Sequence, residues 1–449
     1  MSSKKNRYNH TSLAEDLVKY GVSMGADEAE ISIIEFDEFN VEMRLGEIEN
    51  LIEAGSRHIG IRVIKDKKTA FATSSDFSKQ TLRGLMKNCV KRAELANPDK
   101  FNGLPCGLEK PTVNVTGLDI FDPSIASMPL NKKIHLAKKT ESIALKDKRI
   151  TNSFGSSFET KTIQNTLVNS SGFAETYDES VCSLGLGLQA GEPNAKVEGY
   201  WSCSRRHLKD LEFPEDIAQK AVSRTVRLIN PRKIETQNVP VIFEPLMTSW
   251  LLEFLFSCVS GVAVYQGTTF LSDKLGKRIG NKLISVIDDG LISGKLGTCP
   301  FDSEGVPTGK TTVLENGTLK NFLCNTYAAR RLDLISTGNA DGTGVSPNNF
   351  YLAPGIMSPD DIIAGTDRGL VLVRTIGHGL NPLTGDISRG AFGLWVEKGE
   401  IAYPVSEITI SGNLGIILNN IEIIGNDLEF NHQVIGPTIK IGELTVAGQ

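Results

Sequence analysis

Glycine is spread unevenly along these 449 residues: 28 of the 43 glycines fall after residue 235 and 15 before it. Lacking a Cβ, glycine reaches the positive φ values that two-residue hairpin loops require, and it costs stability inside helices. A half this rich in glycine reads as strands joined by tight turns. Glu315-Asn316-Gly317-Thr318 is a type I′ hairpin signal, and Glu397-Lys398-Gly399-Glu400 is another, set between Leu394-Trp395-Val396 and Ile401-Ala402-Tyr403. That turn density predicts a mostly β domain, barrel- or sandwich-like, over residues 233–449.

Residues 1–232 are patterned differently. Ser12 and Glu15 have capping-box spacing ahead of a first helix with Leu13, Leu17 and Val18 on its apolar stripe and Gly21 as its stop. Alternating segments follow: Ala29, Ile31 and Ile33; Val41, Met43 and Leu45; Ile59, Ile61 and Val63. Period-two patterning with charges on one side predicts antiparallel strands. Asp66-Lys67-Lys68 reads as a hairpin turn into 69–73, and further strand character runs through 150–205. Helices are predicted over about 77–96, 131–145 and 215–228, with 101–122 as a connection. The fold class is α+β: antiparallel strands with helices on one face, then a boundary near 230–238 and the glycine-rich β domain with one buried helix.

At 449 residues the chain exceeds one ordinary core, which predicts two or three domains. A net charge of -5 divides into 34 basic against 31 acidic residues up to 234 and 14 against 22 beyond it, so neither half has the basic excess that many phosphate contacts need. Direct nucleic-acid binding is not expected. No apolar run approaches the roughly 20 residues of a membrane span, and the basic start MSSKKNRYNH has no apolar core behind it. The seven cysteines are scattered and never form CxxC, which suits buried thiols in a reducing compartment; cytoplasm is the expected location.

Candidate chemistry concentrates in two stretches of the second half. Residues 246–260 form a helix apolar nearly all round, with Trp250, Leu251, Phe254, Leu255, Cys258 and Val259 recurring along it, so it belongs in an interior. Glu253 interrupts it and must lie at a rim or be paired. The second stretch runs from Gly377 to Leu414. His378 lies between glycines that allow close backbone approach, either as a loop residue with a structural hydrogen bond or as one facing a substrate or partner. Asn381, Thr384, Asp386, Ser388 and Arg389 follow. Turn and capping bonds explain that cluster more simply than a Ser388-His378-Asp386 triad, for which no nucleophile elbow exists. The loop 337–344 lacks the lysine of a phosphate-binding loop and reads as the lining of a cleft. His10, His58, His135, His207 and His432 show no ligand spacing.

Several segments carry a resemblance. Thr384-Gly385-Asp386, Gly390-Ala391, Trp395-Val396-Glu397, Gly399-Glu400-Ile401 and Pro404-Val405, with Asp288-Asp289-Gly290, 304–309 and the closing 444–449, resemble the TldD/PmbA family ("modulator of DNA gyrase"), in particular its PmbA (TldE) branch. The resemblance implies a TldD-like partner that carries an HExxxH zinc peptidase site and a PmbA-like subunit that completes a peptide cleft. On the matching helix this chain has Glu253 in place of the first histidine, Phe254 in place of the general base and Cys258 in place of the second histidine. The region 426–432 also lacks the cysteine of the catalytic branch. The implied reading is a non-catalytic subunit with no metal of its own, its zinc held by a TldD-like partner, acting on unfolded or leader peptides. His378, Asn381, Asp386 and Arg389 are the candidate peptide- or partner-facing residues. The alternatives are a stand-alone homodimeric metallopeptidase with an atypical site, or a peptide-binding regulatory module without a peptidase partner.

Overall fold

The computed structural model describes residues 10–106 and 115–448; residues 1–9, with most of the basic start, the middle of the 101–122 connection and Gln449 lie outside that range. The alternating N-terminal segments form one antiparallel sheet: β1 (Glu28–Arg44), β2 (Glu47–Lys65), β3 (Lys68–Ser74), β4 (Ile150–Asn169), β5 (Ala174–Ala190) and β6 (Val197–Arg205), in the order β3-β2-β1-β4-β5-β6. Odd-numbered residues of β1 share one face, since side chains alternate along a strand. That face is covered twice. Ala29, Ile31 and Ile33 meet α1 (Thr11–Ser23) and α2 (Lys79–Leu95), whereas Phe39, Val41 and Met43 meet α3 (Leu130–Ala144) and α4 (Pro214–Val226). The helices thus sit on one face, as the alternation predicts.

Local details differ from the sequence reading. The first helix starts at Thr11 after His10 with no side-chain cap, so Ser12 lies inside it; His10 instead bonds Glu35 at 2.7 Å. Leu45 does not continue β1. It takes φ 51° in the turn with Gly46 and is exposed. The next turn is as predicted: Asp66 and Lys67 both have positive φ between the paired residues Lys65 and Lys68.

The C-terminal half contains a closed five-stranded barrel. Strands β7 (Gln237–Phe243), β8 (Arg368–Ile376), β9 (Asp386–Glu397), β10 (Glu400–Asn413) and β11 (Ile439–Ala447) run in the order β8-β7-β11-β10-β9, and β9 pairs back onto β8. Closure leaves no free edge in the ring. Lys398 (φ 54°) and Gly399 (φ 79°) make the hairpin between β9 and β10; Asn316 (φ 47°) and Gly317 (φ 77°) make the other predicted one. A smaller sheet contains Val286–Asp289, Lys310–Glu315 and Asn349–Leu352. Helix α5 (Pro245–Val259) shares one core with the barrel and this sheet. A second core crosses the chain's midpoint: Ile217, Ala218 and Ala221 of α4 lie in one apolar cluster with Ile242, Val371, Val373, Leu394 and Val396 of the barrel. No helix among the described residues is long and apolar enough to cross a membrane.

Candidate functional site

Helix α5 is fixed at its start by charge. Glu244 precedes it and accepts two bonds from the Arg227 guanidinium, at 2.6 and 2.8 Å, with Arg224 at 3.2 Å. Pro245 then opens the helix, where its missing N–H costs nothing. One side of α5 is core: Leu251, Phe254, Leu255, Cys258 and Val259 are buried. The other side is open. Leu246, Met247, Trp250, Glu253 and Phe256 line a groove of about 950 Å³.

The remaining walls come from distant parts of the chain: Glu179, Tyr200 and Arg206 of the N-terminal half, Thr375 and Arg389 of the barrel, and His432 of the loop before β11. Arg206 is saturated; it bonds Glu179 at 2.7 Å and the carbonyls of Leu296 at 2.6 Å and Lys295 at 3.2 Å, so it ties the two halves together. Arg389 is not. Its guanidinium lies 5.1 Å from the centroid of the Trp250 ring, and it has neither an ion pair nor a hydrogen bond to a described residue. The Trp250 indole N–H is likewise buried without a partner. Glu253 faces the groove with no partner among the described residues, and partial desolvation raises its carboxyl above the ordinary range. Burial, and then Arg205, lower the His432 imidazole, which favours its neutral form.

A hydrolytic zinc site takes three protein ligands that converge and leave one position open. These residues do not fit it. Cys258 is fully enclosed, and burial pushes its thiol up to about 11. Phe254 is core, and Glu253 points into the groove. Among the described residues, no group of three or more His, Cys, Asp or Glu is placed to hold a metal ion.

Of the four signature residues singled out in the sequence, the structure brings only Arg389 to the groove. His378 is exposed and its ring makes no hydrogen bond to a described residue, so it is not a structurally bonded loop histidine. Asn381 accepts from the Leu383 N–H at 3.0 Å. Asp386 accepts from Thr384 at 2.7 Å and from Asn413 at 2.9 Å, bonds that hold its carboxyl below the usual range. No hydrogen bond joins Ser388, His378 and Asp386, so a triad is not assembled. Gly379 (φ 149°) presses against the Ser388 carbonyl, where a Cβ would collide. His432, set aside on spacing, does reach the groove.

A second cavity, of about 630 Å³, separates the other face of the N-terminal sheet from the C-terminal half. Gly338–Thr343 line it, as the cleft reading of that loop implies. Arg62 of β2 stands between Glu30 of β1, at 3.6 Å, and Glu304, at 3.3 Å. Burial raises Glu30 and Asp302 each to about 7. Nothing in the sequence marks these acids, because Glu30 and Arg62 sit in the alternation where charges usually meet water.

This architecture has close relatives. Three domain models of one family, PmbA/TldA metallopeptidase, match the chain: domain 1 over residues 29–96, the central domain over 123–229 and the C-terminal domain over 236–448. The chain is 34% identical to metalloprotease PmbA of Escherichia coli O157:H7 over 425 residues, 94% of this chain and 93% of that one. It is 31% identical to the PmbA homologue of Haemophilus influenzae over 433 residues, 96% and 94% of the two chains. Among solved structures, a Thermotoga maritima protein described as a candidate modulator of a DNA gyrase superposes with a TM-score of 0.88 at 29% identity, covering 97% of this chain and 99% of its own. TldE from Thermococcus kodakarensis superposes with a TM-score of 0.84 at 26% identity over the same shares. By full-length identity and by domain order, the chain belongs to the PmbA/TldD metallopeptidase family.

Proposed function

We propose that this chain is the PmbA/TldE-like, non-catalytic subunit of a TldD/TldE-type zinc metallopeptidase. In this reading it forms one wall of a peptide channel, and the zinc belongs to a TldD-like partner in the cytoplasm. The observation that carries the reading is the orientation of α5: of the three positions compared with the zinc motif, Phe254 and Cys258 are core and Glu253 alone faces the groove. The groove supports a peptide ligand by its mixed lining: it is partly apolar through Met247, Trp250 and Phe256 and carries the polar groups of Glu253, Arg389 and His432.

The test uses the purified chain alone and mixed with a TldD-like subunit, with unfolded peptides as substrate. The expected result is an inert pure chain and a mixture more active than the partner by itself. Cleavage by this chain alone, coupled to zinc uptake, would instead establish a stand-alone peptidase. Peptide affinity without any stimulation would establish a binding module.

A further inference from the structure

We propose that Arg389 and Trp250 form a carboxylate-binding subsite in the groove, which takes the C-terminal carboxylate or an acidic side chain of a bound peptide. The proposal rests on the peptide-groove reading and names the group that the groove selects. Its first support is an imbalance among the arginines around this region. Arg206 is paired with Glu179, Arg227 with Glu244 and Arg374 with Glu198. Among the described residues Arg389 has no carboxylate partner, and its Nε is buried. The rest of its guanidinium opens on the groove, where a cation with no counter-charge from the described residues is completed by an anionic ligand.

Its second support is geometric. The Trp250 ring lies against the Arg389 guanidinium and limits its rotation, which orients the planar fork for an oxygen pair. The indole N–H of the same tryptophan is a second donor with no acceptor among the described residues. Both residues line the groove. One guanidinium matches one negative charge. Glu253 lies one helical turn beyond Trp250, is not within ion-pairing distance of Arg389, and disfavours a dianion such as phosphate. It gives the groove a polarity: carboxylate toward Arg389, N–H or ammonium toward Glu253.

The test is fluorescence anisotropy on the full chain, alone and with its TldD-like partner. The probe is a short unstructured peptide, labelled at its N-terminus, in three forms: free C-terminus, amidated, and amidated with one internal glutamate. Charge-assisted bonds of this kind change affinity by about tenfold or more. We expect at least that preference for a carboxylate-bearing form over the neutral one. Preference for the free terminus alone assigns a terminal subsite, and equal preference for both assigns an acidic side-chain subsite; either supports the proposal. Arg389→Gln should remove the preference, Arg389→Lys should restore part of it, and Trp250→Phe should weaken it while thermal melts stay close to the parent. Peptides that bind without regard to the carboxylate, or a preference that survives Arg389→Gln, would overturn the subsite and leave the groove standing. No binding of any form, with or without partner, would overturn the groove reading and the subsite with it.

Discussion

Glu253 and Cys258 lie five residues apart on α5 and project about 140° apart around its axis, because each residue of a regular helix turns about 100°. One lines the groove and the other is fully enclosed. Phe254 and Cys258, four apart, share the core face. A metal bound jointly by Glu253 and Cys258 would need this helix to unwind.

The first prediction concerns metal content. Purified without chelators or a histidine tag, the chain should hold far less than one zinc per subunit by elemental analysis, and Glu253→Ala should not change that figure. About one zinc per subunit, lost in a Cys258 variant, would mean that α5 opens in solution.

Placing histidines at both positions should not create a zinc site. Cys258→His places an imidazole where the core is closed, and overpacking of this kind costs roughly 1–3 kcal/mol. The Glu253→His/Cys258→His double variant should melt at lower temperature and gain no stoichiometric zinc. Tight zinc uptake by the double variant would contradict the helix register described above.

Stability should depend on pH through the second cavity. Burial lifts Glu30 from 4.5 to about 7, against the pull of Arg62, and lifts Asp302 from 3.8 to about 7. Between those values the folded protein keeps protons that the unfolded chain has released. The stabilisation is therefore complete below the unfolded values and is lost as pH rises toward 7. Urea melts should show this decline, and Glu30→Gln should make it shallower between pH 4.5 and 7 while the part due to Asp302 remains. An unchanged slope in that variant would show that Glu30 ionises normally.

Arg62 should matter more than a surface arginine. Arg62→Met leaves the buried Glu304 and Glu30 without their cation, a change that typically costs about 3–5 kcal/mol. Adding Glu304→Gln should recover part of the loss, because it removes one stranded charge. A melt within 1 kcal/mol of the parent for Arg62→Met would indicate that water reaches this pair, since surface pairs contribute about 0–1 kcal/mol.

Much of the architecture was legible because it is local. Asn316-Gly317 and Lys398-Gly399 turn where their positive φ values demand it, and Ala29, Ile31 and Ile33 alternate because a strand has a two-residue period. The apolarity of α5 marked the side of the helix that is core, but not that its other side, with Trp250 and Glu253, lines a groove. Helix ends were less legible. Ser12 has capping chemistry, but the bond from His10 to Glu35 lies where the helix begins.

The site divides along the same line. The sequence by itself determined the α+β class, the hairpins, the apolar helix and the presence of Glu253, Phe254 and Cys258 at the positions compared with the zinc motif. Only the tertiary structure decided that Arg389 meets Trp250, that His432 joins their groove while His378 does not, and that Glu30 and Arg62 face Glu304 rather than solvent. Turns and periodicity follow from each residue's own φ, ψ and side-chain direction. A groove follows from barrel closure and sheet-to-barrel packing, which set the distance between residues that no local pattern relates.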